Sequence, residues 1–524
     1  MNDAAVKDTL TNQFGAKIIP PRRMLISSSR VYQWLFPALM KVLRARYGTT
    51  FYFICARDEV ASMRERCVEG DTVIGVEEFH PPRHVERVLD DQAVFAKSRA
   101  NEARHNLVYM QDILQQDRFE SATFLGYAPG SVFGRQLRSD FVGTADYINR
   151  CFEYWDAFLT REKIDLAVIR PGNMADTVLV EVAQARGIPV THLSGARYKS
   201  YINWANGPYM GYDHLSKVYD SLPPVTPTPV EEMRTTGSAD RLQARFMKVA
   251  GRKAFLRTVV VTTIVYAIFI ARSLWQWRPR QQIPYWNNIR TEFIRHRIAR
   301  YLDRHCEKDL AAITERPFIF FPLPLEPEFT VQSLCRKFSD VRALLKQLAL
   351  CLPAGYNLVI KEHAVLGHRL REFYEQFANF PNVILAHPGI RGIDLTARCA
   401  AVASPAGTTP VEAAVMGKRA LVFSDRVEYG FLPSVRTVTN VYDLRRAVAE
   451  VLQPTSEEEA DKFRRAGARY RDASAASGFD ATDTVFFWGD KTSLPQEEYE
   501  RAVDSMLSTV ATQRASLLDR RVAE

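Results

Sequence analysis

The hydrophobic pattern of the chain alternates between short apolar runs and longer stretches in which apolar residues recur every three or four positions. Short apolar runs are typical of buried strands, and the longer period is typical of helices packed on one side. In the first half, predicted strands lie at 24–29, 50–55, 165–170 and 189–193, and predicted helices at 31–47, 144–163 and 176–186. In the second half, predicted strands lie at 318–321, 356–360, 382–385, 400–403 and 420–423, with helices at 339–351 and 369–378. Because strands and helices alternate in both halves, we predict an α/β fold with two Rossmann-like parallel-sheet domains.

Changes in composition predict the domain boundaries. The sequence PPVTPTP at 223–229 interrupts the alternation and is typical of a linker. We predict an N-terminal Rossmann-like acceptor domain at 21–222, a linker with a helical bridge at 223–315, a C-terminal Rossmann-like nucleotide-sugar domain at 316–450, and C-terminal helices at 451–524 that brace the two halves.

The stretch CAAVASPAGTTPVEAAVMGKRALVFSD at 399–425 predicts a strand, a loop, a short helix and a second strand. Proline is favoured at the first helical position, so Pro410 makes Thr409 the predicted N-cap, with Glu412 completing a capping box. Free backbone N–H groups and the helix dipole make such a helix start suitable for phosphate. We therefore predict that Gly407, Thr408 and Thr409 bind the donor nucleotide, with Glu412 placed to reach a ribose hydroxyl.

Two other predicted strands of the second half also end in polar residues. Glu326 and Glu328 follow the strand at 318–321, and Lys361 and His363 follow the strand at 356–360. The carboxyl ends of parallel strands share one edge of a sheet, where open α/β sheets bind ligands. We predict that the two glutamates bind the nucleotide, and that Lys361 and His363 are catalytic because they would offset charge on a departing phosphate. A packing or capping role for the histidine is the structural alternative.

The first half offers candidate acceptor-binding residues at the same edge of its own sheet. They are Arg30 after the first strand, Arg170 and Asn173 after the third, and Arg197 after the fourth. Asp176 is the predicted general base that would activate an acceptor hydroxyl. The loop after the first strand reads Ser-Ser-Ser-Arg and lacks the Gly-x-Gly-x-x-Gly dinucleotide motif. Ordinary helix capping with a surface arginine is the alternative interpretation.

Composition and charge limit the kinds of molecule that the protein is expected to bind. The 524 residues carry a formal charge of +9, which suits a nucleotide, an anionic lipid surface or a charged glycan. No sequence motif for nucleic-acid recognition is present, so we expect no nucleic-acid partner. The seven cysteines form no CxxC pair, and the N-terminal sequence lacks a secretory apolar region. We therefore expect a cytoplasmic protein with reduced thiols, and neither a zinc site nor a cofactor.

The segment 259–270 has twelve residues without a charge. It is too short to span a bilayer, which needs about 20 apolar residues. Arginines, a lysine, tryptophans and a tyrosine flank it, as in helices that lie in a membrane surface. Two interpretations stay open, a peripheral contact with the inner face of the cytoplasmic membrane and a buried bridge between domains.

The region 317–425 resembles the capsule polysaccharide biosynthesis proteins, which include bacterial Kdo transferases. The matching motifs are FIFFPLPLEPE, LVIKEHAV, FPNVILAHP and GTTPVEAAVMGKRALVF. The resemblance implies a GT-B architecture, in which two Rossmann-like domains face each other across a cleft and the C-terminal domain binds the nucleotide. The chain departs from the family at His363-Ala364, where a His-Pro pair is usual.

The resemblance implies a glycosyltransferase that transfers a sugar from a CMP-, UDP- or similarly activated donor to a capsule-type glycan or glycolipid acceptor. The sequence has no Asp-x-Asp pair, so we expect catalysis without a metal. Three alternatives remain: a glycerol-phosphate-type polymerase with a CDP donor, a nucleotide-sugar epimerase, and a catalytically degenerate assembly subunit.

Overall fold

A computed structural model gives the fold. It describes residues 10–27, 34–55, 59–75, 90–105, 110–117, 141–233, 285–326, 328–363, 369–485 and 489–523, and part of 251–268. The predicted acceptor residue Arg30 lies outside the described residues.

The first half contains a five-stranded parallel sheet. Its strands are β1 Arg23–Ser27, β2 Thr50–Cys55, β3 Thr72–Gly75, β4 Leu166–Val168 and β5 Val190–Thr191. They are arranged in the order β3-β2-β1-β4-β5, and every pair is parallel. The strand order reverses between β1 and β4, and ligands of such sheets bind outside the carboxyl ends of the strands at this point.

Helices cover both faces of this sheet. They are α1 Phe36–Tyr47, α2 Val60–Arg64, α3 Asp91–Arg104, α4 Met110–Gln116, α5 Phe141–Glu162 and α6 Met174–Ala185. The long helix α5 buries Ile148, Phe152 and Trp155 on one face. The indole N–H of Trp155 donates a hydrogen bond to the carbonyl of Ala175 at 3.1 Å. This bond ties α5 to the start of α6, the helix that carries Asp176.

A short antiparallel ribbon follows β5, where the sequence predicted a loop at the sheet edge. It consists of β6 Leu193–Gly195 and β7 Tyr201–Trp204, and the helix α7 Asp213–Ser221 comes next. The strand predicted at 189–193 is therefore divided in the structure, and its second part continues to Gly195. Ser194 and Gly195 belong to a strand because they pair with Asn203 and Ile202, and sequence alone did not indicate that partner.

The second half contains a six-stranded parallel sheet. Its strands are β8 Phe318–Pro322, β9 Asn357–Lys361, β10 Val383–Ala386, β11 Ala401–Ser404, β12 Arg419–Val422 and β13 Val435–Thr437. They are arranged in the order β10-β9-β8-β11-β12-β13, all parallel. With β8 as the first strand this is the order 3-2-1-4-5-6 of a Rossmann sheet. The predicted GT-B-like fold class, an α/β chain with two Rossmann-like parallel sheets, is confirmed.

The central strand β8 shows why the strands of this sheet are continuous apolar runs in the sequence. Ile319 and Phe321 pack into the core on one face, and Phe318 and Phe320 pack into the core on the other. Alternate side chains of a strand point to opposite faces, so a strand covered on both sides must be apolar throughout.

The helices of the second half lie on both faces of its sheet. They are α8 Tyr285–His305, α9 Leu310–Thr314, α10 Val341–Cys351, α11 Arg371–Ala378, α12 Gly392–Arg398, α13 Thr409–Val415 and α14 Leu444–Val451. Short 3-10 turns occupy Val230–Met233, Arg336–Phe338 and Val441–Asp443, and a π-helical turn occupies Thr330–Leu334. The Asp340 carboxylate caps α10 by accepting a hydrogen bond from the Ala343 N–H at 3.1 Å.

The end of the described chain returns to the first half. The helix α15 Glu457–Ala476 leads into β14 Gly478–Asp480, which pairs with β7, and then into α16 Gln496–Ala523. Phe479, Val503 and Met506 join a core that includes Met24 and Phe36. The two halves therefore share a C-terminal connection, while the predicted domain boundaries stay a proposal.

A close approach between α13 and α15 generates a stability prediction. Gly467 of α15 lies so near α13 that an added Cβ would stand 2.7 Å from the Val415 side chain and 2.8 Å from its backbone nitrogen. In an open helix, Gly→Ala stabilises. Here we expect Gly467→Ala to lower the free energy of unfolding by about 1–3 kcal/mol, because overpacking displaces α13. Chemical denaturation measures this, and a variant as stable as the native protein would contradict the packing argument.

Candidate functional site

The carboxyl ends of β8, β9 and β11 bring the predicted donor residues to one edge of the second sheet. The Leu323 N–H, just after β8, donates a hydrogen bond to the carbonyl of Lys361 at the end of β9 at 2.8 Å. Lys361 and His363 are half-buried there. The strand order reverses between β8 and β11, so this edge is the ligand-binding position of the fold.

A buried arginine joins the loops after β8 and β9. The Arg369 guanidinium donates two hydrogen bonds of 3.0 Å to the Glu362 carboxylate and one of 2.8 Å to the carbonyl of Pro324. It also pairs with the Glu326 carboxylate. All three charged side chains are at most 2% exposed. We name the set Glu326, Glu362 and Arg369 the Arg369 clamp.

The clamp reaches His363 through its backbone. The Glu362 carboxylate accepts a hydrogen bond of 2.7 Å from the His363 N–H and one of 2.5 Å from the Tyr374 hydroxyl of α11. Burial, followed by the Glu362 charge, raises the pKa of Tyr374 well above its ordinary value, so its hydroxyl stays a donor. The backbone position of His363 is thus set from inside the protein.

Opposing charges surround the His363 ring. Burial lowers its pKa below the ordinary value; the nearby charges of Lys361 and Arg369 lower it further, and those of Glu362 and Glu328 oppose the shift. At neutral pH the imidazole is therefore uncharged. It can exchange hydrogen bonds or a proton with a ligand, whereas Lys361 supplies the positive charge at this edge.

The loop after β11 differs in detail from the prediction. The helix α13 begins at Thr409, and its N-cap is Thr408, whose φ of −81° and ψ of −24° are already helical. No side chain caps this end, so the predicted Thr409–Glu412 capping box is wrong. The reason is that the chain enters the helix one residue earlier. Glu412 is 7% exposed, and its contact with a ribose stays a prediction.

Two hydrogen bonds fix the loop around Gly407. Its N–H donates to the Ser404 hydroxyl at 3.1 Å, and its carbonyl accepts from the Tyr429 hydroxyl at 2.7 Å. An added Cβ at Gly407 would lie 3.0 Å from that Ser404 oxygen. The tight Ser404–Gly407 turn therefore favours glycine.

In the first half, Asp176 lies at the point where the strand order reverses. The Asn173 side chain caps α6 by accepting from the Asp176 N–H at 2.8 Å, and its amide donates to the Asp176 carboxylate at 2.7 Å. The Ser27 hydroxyl at the end of β1 lies 3.4 Å from the same carboxylate. Burial raises the pKa of Asp176 to about 6, and the neighbouring Asp117 adds to the shift. Such a group suits a general base near neutral pH.

The predicted acceptor arginines contact the second half. The Arg170 guanidinium carbon lies 4.3 Å from the centre of the Phe329 ring, in the loop after β8. Arg197 donates from Nε to the Glu428 carboxylate at 2.6 Å and from Nη2 to the carbonyl of Ala406 at 3.3 Å. The Arg197–Glu428 pair is mostly buried. We call this contact surface between the two halves the seam.

Further along the seam the contacts are polar. Arg336 pairs with Asp112 of α4 at 2.8 Å, and its carbonyl accepts from the Gln115 amide at 2.6 Å. Arg426 stacks its guanidinium 3.7 Å from the centre of the Tyr209 ring. The seam also has an apolar part, because Met210 of the first half belongs to the same buried hydrophobic cluster as Val427 of the second half.

The sequence prediction missed several residues that hold the site. His363 is supported by Glu362, Arg369 and Tyr374. Near Asp176, the missed residues are Ser27 and Asp117, and the Asp117 carboxylate accepts a hydrogen bond from the Met174 N–H at 3.0 Å. Glu362 stood between two predicted site residues, which was a usable signal. Ser27 and Asp117 contact residues 149 and 57 positions away, so no local pattern indicated them.

The described residues contain no group of three or more His, Cys, Asp or Glu side chains placed to hold a metal ion. Within that same part of the chain, no helix is long and apolar enough to cross a membrane. All seven cysteines are free thiols that form no disulfide.

Comparisons with known proteins identify no family. No protein-family model matches the chain, and no curated protein matches it in sequence. Among solved structures, the UDP-GlcNAc 2-epimerase from Methanocaldococcus jannaschii matches with 9% identity over 82% of this chain and 92% of its own, at a TM-score of 0.23. The UDP-GlcNAc 2-epimerase from Neisseria meningitidis bound to UDP-GlcNAc has 12% identity over 86% and 97%, at 0.27. A calicheamicin glycosyltransferase has 12% identity over 87% and 96%, at 0.25. The fold class is shown by the strand orders of the two parallel sheets.

The pKa of Asp176 predicts how stability depends on pH. The folded carboxyl keeps its proton up to about pH 6, whereas the unfolded one loses it near 3.8. Between these values the folded state binds more protons, so its stability falls as pH rises. We expect the free energy of unfolding of Asp176→Asn, relative to that of the native protein, to rise between pH 4 and pH 6 and then level off. Denaturant titrations at several pH values measure this. Asp483→Asn, at an exposed carboxyl, is the control, and equal profiles for all three proteins would contradict burial of Asp176.

Proposed function

We propose that the protein is a GT-B-type glycosyltransferase, which transfers a sugar from a nucleotide-activated donor to a capsule-type bacterial surface polysaccharide without a metal ion. One observation carries the proposal: the predicted donor loops and the predicted acceptor loops, derived from separate parts of the sequence, meet at the seam. Arg170 lies on Phe329, and Arg197 bonds Ala406, next to Gly407. A group-transfer enzyme needs this apposition to bring its two substrates together.

The donor edge supports phosphate chemistry. In the proposed reaction, the bond between the anomeric carbon and the nucleotide phosphate breaks, and the phosphate leaves with the electron pair. Lys361 offsets the negative charge that develops on the phosphate oxygen. The neutral His363 ring donates a hydrogen bond to it. Glu328, whose carboxylate accepts from the Thr330 hydroxyl at 3.0 Å, and Gly407 to Thr409 with Glu412 complete the proposed donor site.

The acceptor edge supports proton removal. The acceptor hydroxyl forms the new bond to the anomeric carbon and gives its proton to Asp176, which is ionised above about pH 6. Asn173 and Ser27 orient the carboxylate through their hydrogen bonds. Arg170 and Arg30 would contact an acidic acceptor, and Arg197 would hold the surface against which the acceptor binds. The capsule-type acceptor itself rests on the resemblance of 317–425.

A peripheral membrane contact is the second part of the proposal. The described residues between 253 and 268 are helical, and the ring of Phe255 stacks on His296 of α8 with 4.4 Å between centres. Leu256, Val260, Ile264 and Ile268, four residues apart, are each about half exposed. These exposures favour a surface contact over a buried bridge.

The charged residues beside that apolar face indicate which kind of surface it binds. Lys253 and Arg257 are exposed at its N-terminal end, and the chain as a whole is basic. Basic residues beside an apolar helix face complement anionic lipid headgroups. We therefore propose the anionic inner face of the cytoplasmic membrane as the partner, and the cytoplasm as the compartment.

A panel of donors tests the enzymatic proposal. We expect one of CMP-, UDP- or CDP-activated sugars to yield a glycan product, and Lys361→Met to weaken binding of the matching nucleotide by about ten- to a hundredfold, because a charge-assisted contact is lost. Calorimetry measures the affinity, and Lys462→Met, on the exposed side of α15, is the control. Product with a CDP-alcohol alone would favour the glycerol-phosphate-type transferase. Absence of nucleotide binding would favour the degenerate assembly subunit.

Vesicle sedimentation tests the membrane proposal. We expect the protein to bind phosphatidylglycerol vesicles at low salt and phosphatidylcholine vesicles much more weakly. The double variant Val260→Asp and Ile264→Asp should lose this binding, because charge on the apolar face opposes insertion. Leu350→Asp is the matched control, since Leu350 is 69% exposed on α10. Equal binding of the double variant and the native protein would contradict the assignment of this face.

A further inference from the structure

We propose that Arg369 is the positioning residue of the donor site, because it locks the loop after β8 to the loop after β9 and so fixes Glu328 relative to Lys361 and His363. The inference deepens the proposed function and rests on the assignment of this edge as the donor site. It also gives Glu326 a role inside the clamp, where the sequence had suggested a nucleotide contact.

The geometry of the clamp carries the proposal. One planar guanidinium faces two carboxylates that belong to different loops, and it also holds the carbonyl of Pro324 at 2.8 Å. Arginine alone has a rigid fork of donors that can serve several acceptors in one plane. The ring of Phe373 lies 5.2 Å below the guanidinium carbon and packs against it. The side chain is therefore held on several sides.

Burial shows that the clamp is built to hold a position. Its three side chains are at most 2% exposed, so water cannot replace a lost partner. A buried charge pair adds little net stability, but removing one of its partners strongly destabilises the protein. At the site, the clamp fixes the backbone of His363, because the Glu362 carboxylate accepts a hydrogen bond from the His363 N–H at 2.7 Å.

Arg369 also acts on His363 through its charge. The groups that face the imidazole are Lys361 and Arg369, which lower its pKa, and Glu362 and Glu328, which raise it. Replacing Arg369 by a neutral side chain removes one of the cations. The expected result is a higher midpoint for the His363 titration, whereas a lysine at the same position keeps the charge.

The test compares four variants of the full chain. Arg369→Lys keeps the charge but loses the fork, Arg369→Met loses both, and Glu326→Gln weakens the link to the loop after β8 alone. Arg371→Met is the matched control, because Arg371 is 56% exposed and forms its ion pair with Glu375 of the same helix, α11. The readouts are CMP and UDP affinity by calorimetry, and the titration of His363 by NMR of histidine-labelled protein, assigned with His363→Gln.

We expect Arg369→Lys and Glu326→Gln to weaken nucleotide binding by about tenfold, as for a misplaced charge-assisted hydrogen bond, and Arg371→Met to bind like the native protein. Arg369→Met should also raise the His363 midpoint. A role confined to stability would lower the unfolding temperature and leave both readouts unchanged in folded protein, which would overturn the proposal. If the native protein binds neither nucleotide, the proposed donor site is wrong. The titration midpoint of His363 in Arg369→Met then tests the role of Arg369 by itself. A higher midpoint supports that role, and an unchanged midpoint overturns it.

Discussion

The buried ion pair between Arg197 and Glu428 constrains how the two halves are arranged. Arg197 comes from the antiparallel ribbon of the first half, and Glu428 follows the second sheet's fifth strand. Burial penalises the Arg197 charge, but Glu428, Tyr429 and Tyr470 outweigh it and keep the pKa of Arg197 above its ordinary value. A buried charge has to keep its partner, since losing it costs about 3–5 kcal/mol. The pair therefore sets the distance between the first half and the loop that contains Gly407.

In the two halves, burial shifts the pKa values of two candidate site residues in opposite directions. Burial raises the pKa of Asp176 to about 6, so at neutral pH the carboxylate is ionised yet basic enough to accept a proton. Burial lowers the pKa of His363, so its ring is neutral. In the proposed transfer from a phosphate to a hydroxyl, the carboxylate would act as the base, and the neutral ring beside Lys361 would act as the hydrogen-bond donor.

How much of this the sequence could predict depends on whether the signal is local. The strands β8 and β9 were located within one residue, because a strand buried on both faces is a continuous apolar run. The strands β3 and β13 were missed, since TVIG and VRT are too short to show a period. The ion pairs could not be predicted from the sequence for another reason. Glu428 is 231 residues from Arg197, and Glu326 is 43 residues from Arg369, so no local pattern could link the two members of either pair. The predicted N-cap is also wrong by one residue, because Pro410 is the second residue of the helix and not the first.

Magnitudes separate the two arginines that the sequence grouped as acceptor contacts. Arg170 rests on the face of Phe329, and a cation–π contact of this kind contributes about 0.5–2 kcal/mol. A hydrogen bond to a charged group contributes about 1.5–3 kcal/mol, so an acidic acceptor group can draw Arg170 from the ring with little or no net loss. Releasing Arg197 would leave Glu428 buried without its partner, at a cost that one new contact does not offset. We infer that Arg170 is the arginine available to an acceptor, and that Arg197 holds the seam against which the acceptor would bind.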